Sequence, residues 1–415
     1  MVSTFAFGAN SPSSSLGFPT KKRFLIFNHK ESMITIQFQS NELLPSLAMV
    51  SKVVAQKPTM PILNDVRMET IVDNTCGCML ELMASDGETW LQWRASVIDA
   101  DASVSLCIDA KSFVQALGNL DGKAVTMQID DEKHLVTCKY ENGKFTLPFV
   151  DAIEFPMPNV ECNDRKEKLI DSKKMLTAIE RASFAVANDE LRPVMNGVKF
   201  DFLHDGMVTV ATDGHKLSKY KDLTILGESE QESNGFIMPK KPCNTLLNVL
   251  ANTIAGDIHV TFNANVLVVE NKQFKMCARL IEGRYPNYDS VIPKGYSHVV
   301  NIDKQSFIQA LRRVLPMGSA TSELVSLTFT LENLTIATED FDFSKSAQEK
   351  IACDYDGETF AIGFKGSTLL QLLQNIDGNI VKVALVDPTR ACVLMEENPN
   401  SVYDYTSILM PMLLQ

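Results

Sequence analysis

No segment of this chain comes near the ~18 uninterrupted apolar residues that a membrane-spanning helix needs, so it is read as having no membrane partner. A basic surplus is missing too. Thirty-nine Lys and Arg stand against 51 Asp and Glu, for a formal charge of −12. Proteins that hold nucleic acid by neutralising phosphates usually carry the opposite balance. Any DNA contact must therefore come from a local cationic face, or from something other than attraction.

The chemistry-bearing loops are missing as well. Gly118-Asn-Leu-Asp-Gly-Lys-Ala124 is one residue short of the P-loop spacing and ends in Ala, without the magnesium-binding hydroxyl. No dinucleotide G-x-G-x-x-G and no zincin H-E-x-x-H occurs. The 9 cysteines are an odd number spread over the chain, which fits reduced cytosolic thiols better than a disulfide framework. Cys76-Gly77-Cys78 has no matching pair after it, so no metal site is expected there. Asp213 and His215 stand close enough to suggest an acid–base dyad. Nothing marks a nucleophile or oxyanion donor beside them, and Glu88 and Phe341 occupy the corresponding places elsewhere. No catalytic residue, metal or cofactor is assigned.

What is present is repetition. Ala84-Ser-Asp-Gly87, Ala211-Thr-Asp-Gly214 and Ala337-Thr-Glu-Asp340 each follow an apolar segment, at intervals of 127 and 126 residues. A short amphipathic helix is predicted around Leu44, Leu176 and Ile308, and a second near Phe113–Leu120, Thr245–Leu250 and Ser367–Ile376. Between them the chain alternates with period two. Val325, Leu327, Phe329 and Leu331 interleave with Ser326, Thr328 and Thr330, and Val198, Phe200 and Phe202 with Lys199 and Asp201. Two helices and roughly eight short strands per copy make an α+β unit, with helices covering one sheet face. The units are read as 33–160, 161–293 and 294–415. Residues 1–32, with Lys21-Lys22-Arg23 ahead of the apolar run Phe24 to Phe27, are read as a disordered extension or a start codon placed upstream of Met33.

The helix faces carry charge. On a wheel of the first helix of the middle unit, Leu176, Ile179, Ser183 and Val186 fall on one side, with Lys174 and Arg181 nearly opposite. Ile308, Leu311 and Leu315 cluster in the third unit, and Gln309 and Arg313 point away. Lys240-Lys241 opens the second helix of the middle unit. Recurrence on equivalent helices suggests a shared positive surface. The chain end, Ile408 to Leu414, is strongly apolar where polar residues are the norm. Pro411 stops strand pairing, and methionine suits a surface receiving several partners, so the tail reads as a binding surface.

Four separated motifs now carry a resemblance. Lys57-Pro-Thr-Met-Pro-Ile-Leu63, Ala211-Thr-Asp-Gly-His-Lys-Leu217, Glu282-Gly-Arg-Tyr-Pro-Asn-Tyr288 with Val291-Ile-Pro293, and Leu409-Met-Pro-Met412 resemble, in order and spacing, the bacterial DNA polymerase III β subunit, the β sliding clamp. The likeness runs from Met33 to Gln415. It implies a cytoplasmic, non-catalytic processivity factor, with three clamp domains per chain and a head-to-tail homodimer closing into a six-domain ring. Double-stranded DNA would be held topologically and without sequence preference. The replicative polymerase subunit, the clamp loader and other proteins with a clamp-binding motif would be the partners. Their Leu and Phe side chains would enter a groove formed by Arg192, Met195, Thr212, Gly214, His215, Lys216, Leu217, Pro286, Val291, Ile408, Met410, Pro411 and Met412. Lys57, Lys174, Arg181, Lys240, Lys241 and Arg313 would face DNA. Phe145 and Leu147 would meet Val314, Leu315 and Met317 at the dimer seam. Lys216 stands where Arg is usual, Ser290 replaces a frequent basic residue, and Leu413 replaces an Arg, which shifts the expected peptide preference away from acidic motifs. The alternatives are a hydrolase built on Asp213 and His215, and a repeat scaffold that never encircles DNA.

Overall fold

The computed structural model describes residues 33–55, 57–73, 77–160, 164–227, 234–397 and 402–414. The expectations about residues 1–32, Cys76 and Cys162 lie outside these. Two compact units are present. The first runs to Pro158 and takes in Val268–Cys277; the second comprises Asn159–Leu267 and Ala278–Gln415.

Six helices occur among the described residues, and each grows directly out of a strand. In the first unit, Ile34–Gln39 leads into α1 (Ser40–Ser51) and Ser105–Asp109 into α2 (Ala110–Gly118). In the second, α3 (Ser172–Ser183), α4 (Lys240–Ala251), α5 (Lys304–Val314) and α6 (Gly366–Gln374) follow strands Lys166–Asp171, Asn234–Pro239, His298–Asp303 and Phe360–Lys365. An aspartate makes three of these changes of direction. The Asp109, Asp171 and Asp303 carboxylates accept the Ser112, Lys173 and Ser306 amides at 2.8, 2.9 and 2.8 Å. A capped first turn satisfies donors that would otherwise oppose starting a helix at the edge of a sheet. The helices pack in pairs, α1 on α2, α3 on α4 and α5 on α6.

Burial follows the sequence on α5, where Phe307, Ile308, Leu311 and Val314 are buried and Gln309 and Arg313 exposed. It departs on α3. The buried stripe there is Met175, Ala178, Ile179 and Ala182, while Leu176 and Ser183 are only half-buried. A helix with apolar residues at so many positions gives the wheel two similar faces, and packing on the sheet chose the neighbouring one.

The strand pairings described below are antiparallel. In the first unit, Thr89–Ser96, Gly77–Ser85, Asp65–Asp73, Ser105–Asp109, Gly143–Asp151, Leu135–Tyr140, Ala124–Asp130 and Ile34–Gln39 pair in that order. Beyond Thr89–Ser96, the Arg94 amide donates to the Gln273 carbonyl at 2.9 Å, and Trp93 stacks on Phe274. The second unit holds a four-stranded sheet (Lys345–Ala352, Asn333–Asp340, Leu324–Thr330, Phe360–Lys365) and a separate eight-stranded sheet. In Leu324–Thr330 the period-two reading holds, with Val325, Leu327 and Phe329 buried, but Leu331 lies past the strand and is 67% exposed.

The eight-stranded sheet explains why three repeats make two units. Its centre pairs Lys216–Asp222 of the middle repeat with Tyr403–Leu409 of the third, setting Leu217 opposite Ile408 and Tyr220 opposite Tyr405. One continuous hydrogen-bonded layer therefore crosses the second repeat boundary. The candidate site lies at the end of this seam.

Candidate functional site

The repeated tetrapeptide is a hairpin turn. Asp213 Oδ1 accepts the His215 and Lys216 amides, both at 2.8 Å, and the Thr212 hydroxyl accepts from the Gly214 amide at 3.1 Å while donating to the Lys216 carbonyl at 2.7 Å. Gly214 sits at φ +90°, a conformation that favours glycine. The first copy is built alike, with Asp86 Oδ1 accepting from Glu88 and Thr89 and the Ser85 hydroxyl from Gly87. The third copy differs. Asp340 pairs across the ladder with Lys345, as Thr212 does with Leu217, so Ala337 to Asp340 lies within the strand and the turn is Phe341 to Ser344. By this register the partner of His215 in the third repeat is Phe343, not Phe341.

Around the middle turn several predicted residues come together. A side chain on Gly214 would meet Arg192 Nη1 at 3.3 Å and Met195 Cε at 3.9 Å, so both approach the turn closely. Leu217 and Ile408 are cross-strand partners within a buried cluster that includes Tyr285 and Val393. Val194, Ile292, Tyr288 and Tyr296 pack on that cluster while remaining partly open. The chain end lies along the same edge. The Met410 amide donates to the His215 carbonyl and the Met412 amide to Gly363, each at 2.8 Å, with Pro411 between them contributing no donor. The tail thus leaves the sheet after Leu409 and is held to both repeats by single bonds.

Met195, Thr212, Leu217 and Ile408 form a buried floor; Lys216, Pro411 and Met412 are half-buried; and Arg192, Gly214, His215, Pro286, Val291 and Met410 are exposed. Partly buried apolar side chains, Val194, Tyr288, Ile292 and Tyr296 among them, pack against the buried cluster that holds Leu217 and Ile408. Such an arrangement suits an apolar ligand, because the floor is already fixed by the core.

Three cations at the site are paired. Lys216 Nζ lies 2.7 Å from Asp213 Oδ2, Arg192 Nε 2.8 Å from Asp189 Oδ2, and Lys219 Nζ 2.5 Å from Asp289 Oδ1. Burial acts to raise the Asp213 carboxyl, but the Lys216 ammonium and two backbone amides outweigh it and hold the group below the usual range. The Arg192 guanidinium does the same for Asp189.

Of the candidate DNA-facing cations, Lys57, Lys240, Lys241 and Arg313 are exposed, Lys174 is half-buried and Arg181 is buried. Lys174, Arg313 and Arg181 each make side-chain contacts. Lys174 Nζ donates to the Thr224 hydroxyl at 2.6 Å, and Arg313 makes a two-pronged contact with Glu349, its Nε at 2.8 Å. Arg181 corrects the wheel outright. It is 7% exposed, paired with Glu396 and Asp377, and lies 5.0 Å from the Tyr405 ring centroid. A guanidinium so enclosed cannot reach a phosphate.

Comparison with known proteins decides the family. Models for the N-terminal, central and C-terminal domains of the DNA polymerase III beta subunit match residues 34–160, 169–287 and 289–413. The chain belongs to this family. Beta sliding clamps of Pseudomonas putida and Haemophilus influenzae are each 27% identical to it, covering 91% and 90% of this chain and 99% and 98% of their own. Its fold matches the Pseudomonas aeruginosa sliding clamp (DNA polymerase III subunit beta) bound to griselimycin, with a TM-score of 0.84 at 24% identity over 92% of this chain and all of that one. The Thermotoga maritima beta subunit matches at a TM-score of 0.80 and 20% identity over the same shares. The family is that of a non-catalytic processivity subunit of DNA polymerase III, with three clamp domains per chain, and the dimeric ring is known for it.

Within this clamp, the residues expected at the seam are unequal. Phe145 and Leu147 are half-buried on Gly143–Asp151, a strand whose stretch up to Pro148 pairs on one side only, with Leu135–Tyr140, among the described residues. Leu315 is half-buried and Met317 42% exposed, but Val314 is 2% exposed and packed into its own core, out of reach of a second chain. Sequence reading also missed part of the site. Val194, Ile292, Tyr288 and Tyr296 stand around its floor; Ile292 and Tyr288 lie within the motifs of the resemblance, and Val194 lies between Arg192 and Met195. The partial exposure of Ile292, Tyr288 and Tyr296 depends on the fold of the 282–296 segment, which carries no periodicity.

Proposed function

We propose that this chain is a replicative sliding clamp that closes head-to-tail with a second copy into a six-domain ring around duplex DNA. It tethers the replicative polymerase, the clamp loader and other partners in the cytoplasm through short peptides docked over Leu217 and Ile408. The observation that carries this reading is the family match across three successive domains. The convergence of the middle-repeat turn with the apolar tail supports the docking site. A net charge of −12 is compatible with the role, because a closed ring holds DNA by topology and needs only weak, sliding contacts. Six helices in three packed pairs offer the lining, and the exposed Lys57, Lys240 and Lys241 are the proposed DNA contacts. The exposed edge of Gly143–Asp151 and the Leu315–Met317 turn form the proposed seam.

A hydrolase reading loses ground on one observation. Asp213 already accepts two backbone amides on Oδ1 and the Lys216 ammonium on Oδ2, so three of its acceptor sites are committed to holding the turn.

The deciding experiment is retention on circular DNA after loading, followed by linearisation. Release on cutting is expected; retention on the linear form would refute topological holding. Native mass should show a species near twice 46.0 kDa. Deleting Met410 to Gln415 should abolish peptide binding and leave the dimer intact, and unchanged peptide affinity would refute the docking assignment.

A further inference from the structure

Three cations of the proposed peptide site, Lys216, Arg192 and Lys219, have their counter-ions within the same chain, and two of those counter-ions, Asp213 and Asp189, are anchored. Asp213 cannot swing away from Lys216 without releasing two backbone amides, and the Lys216 side chain is only 13% exposed. Asp189 is held in the same manner, its Oδ1 accepting the Leu191 amide at 2.8 Å while Oδ2 takes Arg192 Nε. Lys219 meets Asp289 and lies 5.3 Å from the Tyr288 ring centroid, covered on two sides. A ligand carboxylate arriving here would have to displace a fixed partner, or sit beside one and be repelled. Exchanging one ion pair for another in a half-exposed place yields little. Ser290 and Leu413, the neighbouring side chains on the loop and tail, are uncharged.

We propose that this site reads its peptide through apolar anchors alone, with Asp213 and Asp189 acting as built-in counter-ions that make it indifferent to acidic residues flanking the anchors. The inference rests on the peptide-docking reading above and specifies its partner: a short apolar segment whose flanking residues are free to be neutral. Specificity here comes from carboxylates on the clamp itself. Each neutralises a cation that would otherwise select acidic ligands.

The test uses the full-length protein and three fluorescein-labelled ten-residue peptides. One carries Leu and Phe anchors with a flanking Asp, the second has Asn in that place, and the third has Ala at both anchors. Dissociation constants are read by polarisation at low and high salt. For the parent protein, the Asp and Asn peptides should bind within about twofold of each other, with little change between salt concentrations. The Asp213→Asn and Asp189→Asn variants keep the amide-accepting oxygen and release Lys216 or Arg192. Each should bind the Asp peptide about threefold to fivefold tighter than the Asn peptide at low salt, and the preference should vanish at high salt. A parent that already prefers the Asp peptide by about fivefold overturns the proposal. In that case the exposed Arg284 and Lys294, or the paired cations themselves, are being read. Variants that gain no preference overturn it also, since the carboxylates would then not be what masks the charge. Equal binding of all three peptides, or none, sinks the docking reading and this inference with it; loss of binding confined to the Ala peptide separates the two questions.

Discussion

Arg181 and Glu396 meet at 2.8 Å with their side chains 9% and 4% exposed, joining a helix of the middle repeat to a strand of the third. Asp377 and the Asn375 carbonyl hold the same guanidinium, and the Tyr405 ring lies beside it. Burial opposes the charge, but Glu396 and then Asp377 outweigh it and keep the group protonated beyond its ordinary range. Tyr405 in turn hydrogen-bonds Ser218 at 2.9 Å, one residue along the sheet from Leu217. The network therefore lies directly behind the strands that carry the proposed peptide floor.

Removing one partner of a buried pair leaves the other charge without compensation, which costs roughly 3–5 kcal/mol, whereas removing both costs far less. Arg181→Met should therefore lower the thermal midpoint markedly, and adding Glu396→Gln should restore part of the loss. A double-mutant cycle with no coupling energy would show that the two residues are independent. DNA retention per folded molecule should be unchanged in either variant, because Arg181 is enclosed.

The opposite is expected on the exposed face. Lys240→Glu with Lys241→Glu should weaken loading onto DNA and flatten the salt dependence of that step, since each lost phosphate contact removes about 0.9 from the logarithmic slope. Peptide binding should be untouched. Glu349→Gln frees Arg313 from its two-pronged pair and should strengthen loading. Unchanged or weaker loading in that variant would exclude Arg313 from the DNA-facing set.

The contrast between Lys240 and Arg181 marks what local sequence carries. The strand-to-helix changes at Asp109, Asp171 and Asp303 depend on neighbours three residues away or fewer, and the starts of α1, α3 and α5 keep the 132-residue spacing read from the sequence. The Asp213 turn is similarly local. Arg181 was misassigned because its partners lie 194 and 215 residues further on, beyond the reach of any wheel. The counterpart of His215 was placed at Phe341 because the match of Ala337 to Asp340 with the earlier tetrapeptides is one of letters, while ladder register sets it two residues later, at Phe343. The seam between the middle and third repeats belongs to the same class. Nothing near Lys216 announces that Tyr403–Leu409 will pair with it.

Asp65 gives a pH dependence. Burial, and then the Asp109 carboxylate opposite it in the ladder, push its carboxyl up to about 6. An unfolded aspartate titrates near 3.9, so the folded form binds its proton more tightly. This group's contribution is fully present below about pH 4 and is lost as pH rises through 6. Asp65→Asn, neutral throughout, should raise stability at pH 7 by on the order of 1 kcal/mol, less than the full linkage figure because the group is half open to solvent. It should change little at pH 4. Denaturant melts at the two pH values measure this, and an equal effect at both would remove the titration from the explanation.

Gly214 and Gly87 permit a last, matched comparison. They share a turn and nearly the same backbone, at φ +90° and +93°, so alanine at either should cost about 1 kcal/mol of strain. Their surroundings differ. A methyl on Gly87 meets only the Leu63 Cδ1 atom at 3.8 Å, an ordinary contact, whereas on Gly214 it crowds Arg192 Nη1 at 3.3 Å and touches Met195 Cε. Gly214→Ala must therefore shift the Arg192 guanidinium at the proposed site in addition to straining the turn. Both variants should melt earlier by a similar amount, and only Gly214→Ala should weaken the apolar peptide, by several-fold. Equal peptide affinity in the two variants would mean that Arg192 takes no part in docking.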